Sequence, residues 1–405
     1  MSKLEELITE LCPNGVPYLE LGEIATDIYR GSGITRDQIT EDGIPCVRYG
    51  EIYTTYDIWF DKCVSFTDEK LIANPKYFEY GDVLFAITGE RVDEIAKSCV
   101  YLGHDKCLAG GDIVVLKHNE NPKYISYVLS TTAARIQKSK GKVKSKVVHS
   151  SVPAIKEIVI PVPPITIQEE IARILDTFTE LTAELTAELT ARKKQYEYYR
   201  EKLLSFGNNV ELHSLEEVAE FKYGFTTTAK NVGNTRFIRI TDIKDNGKID
   251  FKNPMYVDLT SNNSDYLLEY NDILMARTGA SFGKTMIFRE NLKAVFASFL
   301  IRIRFTTDGI NPLFYWHFSQ SNLFWDQANK LVSKAGQPQF NANALKRIKM
   351  PIPTLKEQDY IVSVLDKLDA LVNDISIGLP AEIEARQKQY EYYRDQLLTF
   401  KELKQ

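Results

Sequence analysis

The chain has 405 residues, enough for two to three domains, and its hydrophobic share of 44% is that of a folded protein, which excludes a disordered one. No apolar run reaches the ~18 residues a membrane helix needs, and Met1-Ser2-Lys3-Leu4-Glu5-Glu6 is acidic where a secretory leader is apolar, so a cytoplasmic protein is expected. A net charge of −5 excludes a uniformly basic nucleic-acid binder but not local basic patches.

Along the chain, the same anchors occur twice. Leu21-Gly22-Glu23-Ile24-Ala25 matches Leu215-Glu216-Glu217-Val218-Ala219, and Asn14-Gly15-Val16 matches Asn208-Asn209-Val210. Val47-Arg48-Tyr49 resembles Ile238-Arg239-Ile240, with Arg48 and Arg239 at matching strand positions. Glu79-Tyr80-Gly81-Asp82-Val83-Leu84 returns as Glu269-Tyr270-Asn271-Asp272-Ile273-Leu274, followed by Thr88-Gly89 and Thr278-Gly279. Ile87 in the first half occupies the position matching Arg277 in the second. Ile113-Val114-Val115-Leu116 and Phe299-Leu300-Ile301-Arg302-Ile303-Arg304 have strand composition. Helical spacing follows Asn121-Pro122 and Asn311-Pro312. The five cysteines (Cys12, Cys46, Cys63, Cys99 and Cys107) match no zinc spacing and read as reduced, mostly buried thiols.

After Ile160-Pro161-Val162-Pro163 and Met350-Pro351-Ile352-Pro353 the period becomes helical. Ile171, Leu175, Phe178, Leu181, Leu185 and Leu189, then Tyr196, Tyr199, Leu203 and Phe206, step by three and four as in a coiled-coil seam. Ile361, Leu365, Leu368, Val372 and Ile375 begin a second seam, interrupted at Gly378-Leu379-Pro380. Each seam ends in one tyrosine block, Lys194-Gln195-Tyr196-Glu197-Tyr198-Tyr199-Arg200 or Lys388-Gln389-Tyr390-Glu391-Tyr392-Tyr393-Arg394. A molecule built of two related copies usually meets something with two related parts. Within the first helix Thr182-Ala183-Glu184-Leu185 is followed at once by Thr186-Ala187-Glu188-Leu189. Four helical residues add about 6 Å and about 40°, commensurate with a shift of one to two base pairs at ~3.4 Å and ~34° each.

Chemistry-bearing constellations are missing from the sequence. There is no Gly-Xaa4-Gly-Lys-Ser/Thr loop, Gly31-Ser32-Gly33 lacks a dinucleotide-binding context, and the histidines (104, 118, 149, 213 and 317) form no ligand pair at helical spacing. Asn74-Pro75-Lys76-Tyr77 and Asn121-Pro122-Lys123-Tyr124 only superficially match a methyltransferase Asn-Pro-Pro-Tyr; turn and helix-start signals account for them. No catalytic residue and no metal ligand is assigned.

The nucleic-acid signal is local. Arg135 to Lys146 carries Lys138, Lys140, Lys142, Lys144 and Lys146 without an acid and reads as a flexible basic loop for phosphates, a solvated loop being the plain alternative. The corresponding stretch of the second half holds Lys334, Gln337 and Gln339, whose amides suit adenine edges. Arg48, Arg239, Arg277 and Lys284 complete the candidate DNA contacts, with buried ion pairing an equal account of Arg48 and Arg239.

The paired Pro-Xaa-Pro elements leading into Gln168-Glu169-Glu170-Ile171 and Gln358-Asp359-Tyr360-Ile361, the two tyrosine blocks and the Thr-Ala-Glu-Leu units together resemble the specificity subunit of type I restriction–modification enzymes over nearly the whole chain. That resemblance implies an α+β fold with two β-rich target-recognition domains separated by two long antiparallel coiled-coil helices. The expected divisions are recognition domains at 1–157 and 208–347 and helical spacers at 158–207 and 348–405. It implies a non-catalytic DNA-reading chain whose helices fix the gap between two half-sites. Leu185, Leu189, Tyr196, Tyr199, Tyr390 and Tyr393 are then the candidate spacer and docking residues for two methyltransferase subunits. S-adenosylmethionine would be bound by those partners, and ATP and Mg by a restriction subunit where one joins. A single-chain methyltransferase or nuclease, and a protein-binding scaffold with two heads, are the alternatives.

Overall fold

A computed structural model describes residues 3–139, 142–144, 147–207, 210–333, 338–374 and 376–403. Two compact units emerge, one comprising Met1–Glu184 with Glu384–Gln405, the other Leu185–Ile383. Each unit therefore combines one half of the globular sequence with the tyrosine block that closes the other half. The first unit holds Tyr390 and the second holds Tyr196. Each division point falls within a long helix, the first inside the tetrapeptide run.

The architecture is α+β. In the first unit the main sheet runs Ala25–Arg30, Ile113–His118, Val83–Ala86, Ser98–Tyr101, Trp59–Phe60. A second five-stranded sheet is built around Ile44–Val47 and Cys107–Ala109, and a three-stranded one joins Lys142–Lys144, Val147–His149 and Thr88–Gly89. The second unit repeats the main sheet as Ala219–Tyr223, Leu300–Phe305, Ile273–Ala276, Thr285–Ile287. Its smaller sheet is Tyr256–Val257, Thr235–Ile238, Ala294–Phe296. The strands Val83–Ala86 and Ile273–Ala276 are buried at every residue, which accounts for their unbroken apolar sequence. Cys12, Cys46, Cys99 and Cys107 are buried free thiols and Cys63 is half-buried.

The repeated anchors prove to be structural locks. Between Glu79 and Asp82, and between Glu269 and Asp272, the chain turns through a left-handed residue, Gly81 (φ 90°) or Asn271 (φ 71°), the two residue types that tolerate it best. The buried aspartate then accepts from the backbone N–H of Glu79 at 2.9 Å or Glu269 at 2.8 Å. Its charge is met by Lys117 at 2.8 Å in one unit and by Arg304 at 2.7 Å in the other. Gly31 and Gly224 are equivalent too. A Cβ there would lie 2.3 Å from Gly110 O or 2.2 Å from Ala297 O, so backbone approach excludes a side chain.

Asn121 and Asn311 cap the helices Pro122–Ser130 and Pro312–Phe318, and the proline sits at the helix start where no N–H is needed. Gln168 and Gln358, both fully buried, fasten these caps to the long helices. Gln168 Oε1 accepts from Asn121 N at 2.9 Å while Nε2 donates to Pro163 O at 2.8 Å and Glu120 Oε2 at 2.6 Å. Gln358 accepts from Asn311 N at 2.8 Å and donates to Pro353 O at 2.8 Å and Gly309 O at 2.9 Å. The proline-to-glutamine motif thus fixes where each helix leaves its globular part. In both copies the strand ending on the first proline pairs antiparallel with an incoming strand, Tyr18–Glu20 or Leu212–Ser214.

The first long helix, Ile165–Leu203, is unbroken. Ile167, Ile171 and Leu175 are buried in the first unit's core. In the second unit Tyr196 is buried, with Leu189, Tyr199 and Leu203 packed against the same core. Between these stretches the tetrapeptide residues Ala183, Glu184, Thr186, Ala187 and Glu188 are exposed. The later seam forms two helices, Leu355–Asn373 and Leu379–Leu397, with the break where the sequence places it. Asp374 Oδ1 caps the break, accepting from Ser376 N at 2.7 Å, and the new helix begins at Leu379 with Pro380 in its first turn. Ile375, Asn208 and Asn209 lie outside the described residues.

Candidate DNA interface

The basic stretch is less of a loop than its sequence implies. Its first part is the helix Thr132–Lys138, capped by Thr131, and Lys142–Lys144 with Val147–His149 form a hairpin that pairs with Thr88–Gly89. Lys140 and Lys146 lie outside the described residues. The backbones of Lys142 and Lys144 lie on the outer strand of that hairpin, which places two alternate lysines on one edge.

Lys138 corrects the expectation of an exposed phosphate contact. It is buried, with Nζ donating to Ser98 Oγ and to Leu129 O, each at 2.7 Å. Burial, with the Arg135 charge adding, pushes its ammonium down to about 7. The helix turn that follows the Thr131 cap points Lys138 inward, so helical phase overrides the charge run.

Arg48 and Arg239 follow their strands as helix-capping residues and form ion pairs with the residue three further on. Arg48 Nη2 lies 3.0 Å from Glu51, and Arg239 Nη2 lies 2.9 Å from Asp242, both acids being buried. Both side chains keep about 30% exposure (31% and 30%), so ion pairing positions each guanidinium without enclosing it. Lys284 is ion-paired to Asp245.

In the second unit Arg277 and Gln339 come together. Gln339 bridges to Thr278, the residue after Arg277, and Phe340 N donates to Arg277 O at 2.8 Å. Arg277 donates Nε to Ser298 O at 2.9 Å and lies over the rings of Tyr223 and Phe299 at 5.2 and 5.8 Å. Both rings are half-exposed and Gln339 is exposed. Lys334 and Gln337 lie outside the described residues.

The tyrosine blocks divide by helical phase. Tyr196 is buried, its hydroxyl 3.3 Å from His317 Nδ1, and Tyr390 is buried beside Tyr127 with ring centroids 6.4 Å apart. Tyr199 packs on the second unit's core, and Tyr393 stacks on Phe178 at 5.5 Å within the first. Leu185 and Leu189 are half-buried. Tyr196 and Tyr390 therefore serve their own units, a correction to their reading as docking residues. The residues that the seam spacing passes over, Tyr198 and Tyr392, are 59% and 60% exposed.

Arg30, Asp112, Tyr223 and Phe299 escaped the sequence reading. Gapless alignment from Ala25 and Ala219 sets Tyr29 against Tyr223. The β-bulge between Lys117 and His118 shifts the first sheet by one residue, so that Arg30 occupies the place of Tyr223. The paired glycines Gly31 and Gly224 are the sequence signal for this register.

Among the described residues no group of three or more His, Cys, Asp or Glu side chains is arranged to hold a metal, and no helix is long and apolar enough to cross a membrane. Asn121 is occupied as a helix cap, which accounts for its Asn-Pro sequence.

Comparison with known proteins gives this geometry a family. A family model described as the type I restriction modification DNA specificity domain matches twice, over residues 20–192 and 208–385. The chain is similar to the EcoR124I/EcoR124II specificity subunit of Escherichia coli, 36% identical over 301 residues, which is 69% of this chain and 70% of that one. It is also similar to a putative type I restriction enzyme specificity subunit of Haemophilus influenzae, 34% identical over 278 residues, covering 64% of this chain and 68% of that one. In fold it is like the type I S subunit of M. genitalium, with TM-score 0.55, 15% identity and coverage of 95% and 96%. A chain from a study of type I complex assembly and conformational transition gives TM-score 0.61, 16% identity and coverage of 96% and 98%. The two family matches fall on the two structural repeats, and the chain belongs to the type I restriction modification DNA specificity family.

Proposed function

We propose that this specificity subunit reads a bipartite DNA target, one half-site with each repeat, across a gap fixed by its long helices. The observation that carries this is internal. The locks made by Asp82 and Asp272, and by Gln168 and Gln358, recur in both repeats, whereas residues at matching exposed positions differ, Arg30 and Asp112 in one repeat standing where Tyr223 and Phe299 stand in the other. Like scaffolds with unlike edges suit two different base sequences. The hairpin carrying Lys142 and Lys144 would neutralise phosphates.

Chemistry then belongs to the partners. Two methyltransferase subunits would bind S-adenosylmethionine and flip the target adenine out of the stack. A restriction subunit, where one joins, would use ATP and Mg. Tyr198 and Tyr392 sit at the same register of the two tyrosine blocks, so they offer a like anchor to two like partners. The gap would follow from the tetrapeptide run, whose Ala183, Glu184, Thr186, Ala187 and Glu188 are exposed.

The test is mapping of methylated adenine across the genome of cells that carry the methyltransferase of this system, with and without this chain. A split motif with a fixed gap, present only with this chain, is expected. An assembled complex with no motif dependent on this chain would favour the protein-binding scaffold.

A further inference from the structure

Register through the shared strand pairing makes Arg30 equivalent to Tyr223, Ile87 to Arg277, Gly111 to Ser298 and Asp112 to Phe299. The backbone confirms it, since Ile87 N donates to Asp112 O at 2.9 Å and Arg277 N to Phe299 O at 3.1 Å. Arginine therefore sits on different strands in the two repeats. Yet Arg30 donates its Nε to Gly111 O, as Arg277 does to the equivalent Ser298 O. Two unlike sequences deliver one guanidinium to one place.

We propose, building on the DNA-reading function above, that Arg30 and Arg277 are the guanine-reading residues of the two repeats. With Nε held by a carbonyl, the two Nη groups are left at the outer end of a planar fork. That fork matches the O6 and N7 acceptors of guanine in the major groove. Arg30 is 60% exposed, and Asp112 holds one Nη from the side at 2.6 Å, which leaves further N–H groups on both Nη atoms. Arg277 has no ion pair among the described residues. The half-exposed rings of Tyr223 and Phe299 fix its plane instead.

The neighbours give each guanine its own context. In the first repeat Thr88 Oγ1 lies 3.3 Å from His149 Nδ1, joining the strand that follows Ile87 to the basic hairpin. Beside Arg277 the equivalent of His149 is Gln339. A phosphate-binding edge next to a base-reading fork is the arrangement that sets register and then reads sequence.

The experiment assembles the complex with wild-type chain or with Arg30→Ala, Arg30→Lys, Arg277→Ala or Arg277→Lys, and determines the methylated motif on a random-sequence DNA library. Arg277→Ala is expected to relax one guanine of one half-site, losing roughly 5- to 150-fold of discrimination there. Arg30→Ala should relax one guanine of the other half-site. The lysine variants keep the charge but not the fork, and should relax the same positions. The untouched half-site reports that the complex is folded in every case. An unchanged motif, relaxation at a base other than guanine, or an equal loss on all sequences would each overturn the assignment while leaving the bipartite function standing. A wild-type complex without a split motif would instead overturn the function on which the assignment rests.

Discussion

Lys138 and Ala328 stand at the same position of the two repeats, one a buried ammonium and the other a buried methyl. The neighbouring Gln137 and Gln327 establish the equivalence. Gln137 exchanges hydrogen bonds with Val159 at 2.9 and 2.8 Å, and Gln327 does the same with Lys349 at 2.9 and 2.8 Å. The fold therefore does not require a charge at this site. In the first unit Ser98 Oγ and Leu129 O stabilise it, against the cost of burial.

That cost depends on pH in a definite direction. The folded chain releases the Lys138 proton near pH 7, whereas the unfolded chain holds it to about 10.4. Between these values the unfolded state binds more protons, so stability rises with pH across the window, by up to about 5 kcal/mol. Below the window both states are protonated and the burial cost is complete. Lys138→Met should flatten this rise, as read by urea midpoints at about pH 6 and about pH 9. Equal pH dependence in both chains would show that the ammonium is not buried in solution.

The glutamine locks predict a loss that a surface amide would not give. Gln358→Leu keeps the volume of the side chain but leaves Asn311 N, Pro353 O and Gly309 O without a partner. A cost of about 3 kcal/mol is expected from these buried groups. Gln168→Leu should behave alike at Asn121 and Pro163. Denaturant unfolding measures both, and midpoints equal to wild type would show that water replaces the amide.

Much of this scaffold was legible from the chain because repetition supplied an internal comparison. Pro-Xaa-Pro, Gln168 and Gln358, and the acidic turns at Asp82 and Asp272, were marked by recurring, and each proved to be a lock. The helix break at Gly378-Leu379-Pro380 was legible from backbone chemistry alone. The candidate site was less so. Helical phase turned Lys138 inward, and composition cannot report phase at a helix whose start is unknown; Tyr196 was already on the apolar seam, and Tyr390 is buried like it. Arg30 was hidden by a bulge that changes register without changing length elsewhere. Its partner contacts join residues 30 and 112, a separation no local pattern spans.

Spacer length should answer to the tetrapeptide. Deleting Thr186–Leu189 brings Leu185 to the place of Leu189 with an identical sequence before it, so the packing of Leu189 on the second unit's core is preserved. The helix loses about 6 Å and about 40°. The motif should keep both half-sites and lose about one to two base pairs of gap. An altered half-site with the gap unchanged would rule out the ruler.

The basic hairpin should act on every sequence alike. Replacing Lys140, Lys142, Lys144 and Lys146 with alanine is expected to weaken binding of the complex to any duplex. The slope of log K against log salt should also fall, by up to about 0.9 for each phosphate contact removed. Loss confined to one base position would instead make the hairpin a base reader, and unaltered binding would make it a solvated edge.

Partner docking should follow the outward tyrosines rather than the inward ones. Tyr198 is flanked by Tyr199 with ring centroids 5.4 Å apart, and Tyr392 stands in the same relation to Tyr393 at 5.4 Å. Each outer ring is thus flanked by a neighbour that packs within its own unit, Tyr199 on the second unit's core and the partly exposed Tyr393 on Phe178. A half-exposed aromatic held in this way makes a low-entropy anchor, worth about 2 kcal/mol or more at the centre of an interface. Tyr198→Ala and Tyr392→Ala should each weaken attachment of one methyltransferase subunit, and the double variant should leave the specificity chain largely without partners in native mass spectrometry. Because both rings project from their helices, thermal midpoints should change little. Tyr196→Ala should do the reverse, lowering stability by about 3 kcal/mol or more through loss of a buried ring. Full assembly by the double variant would move the docking surface elsewhere on the helices.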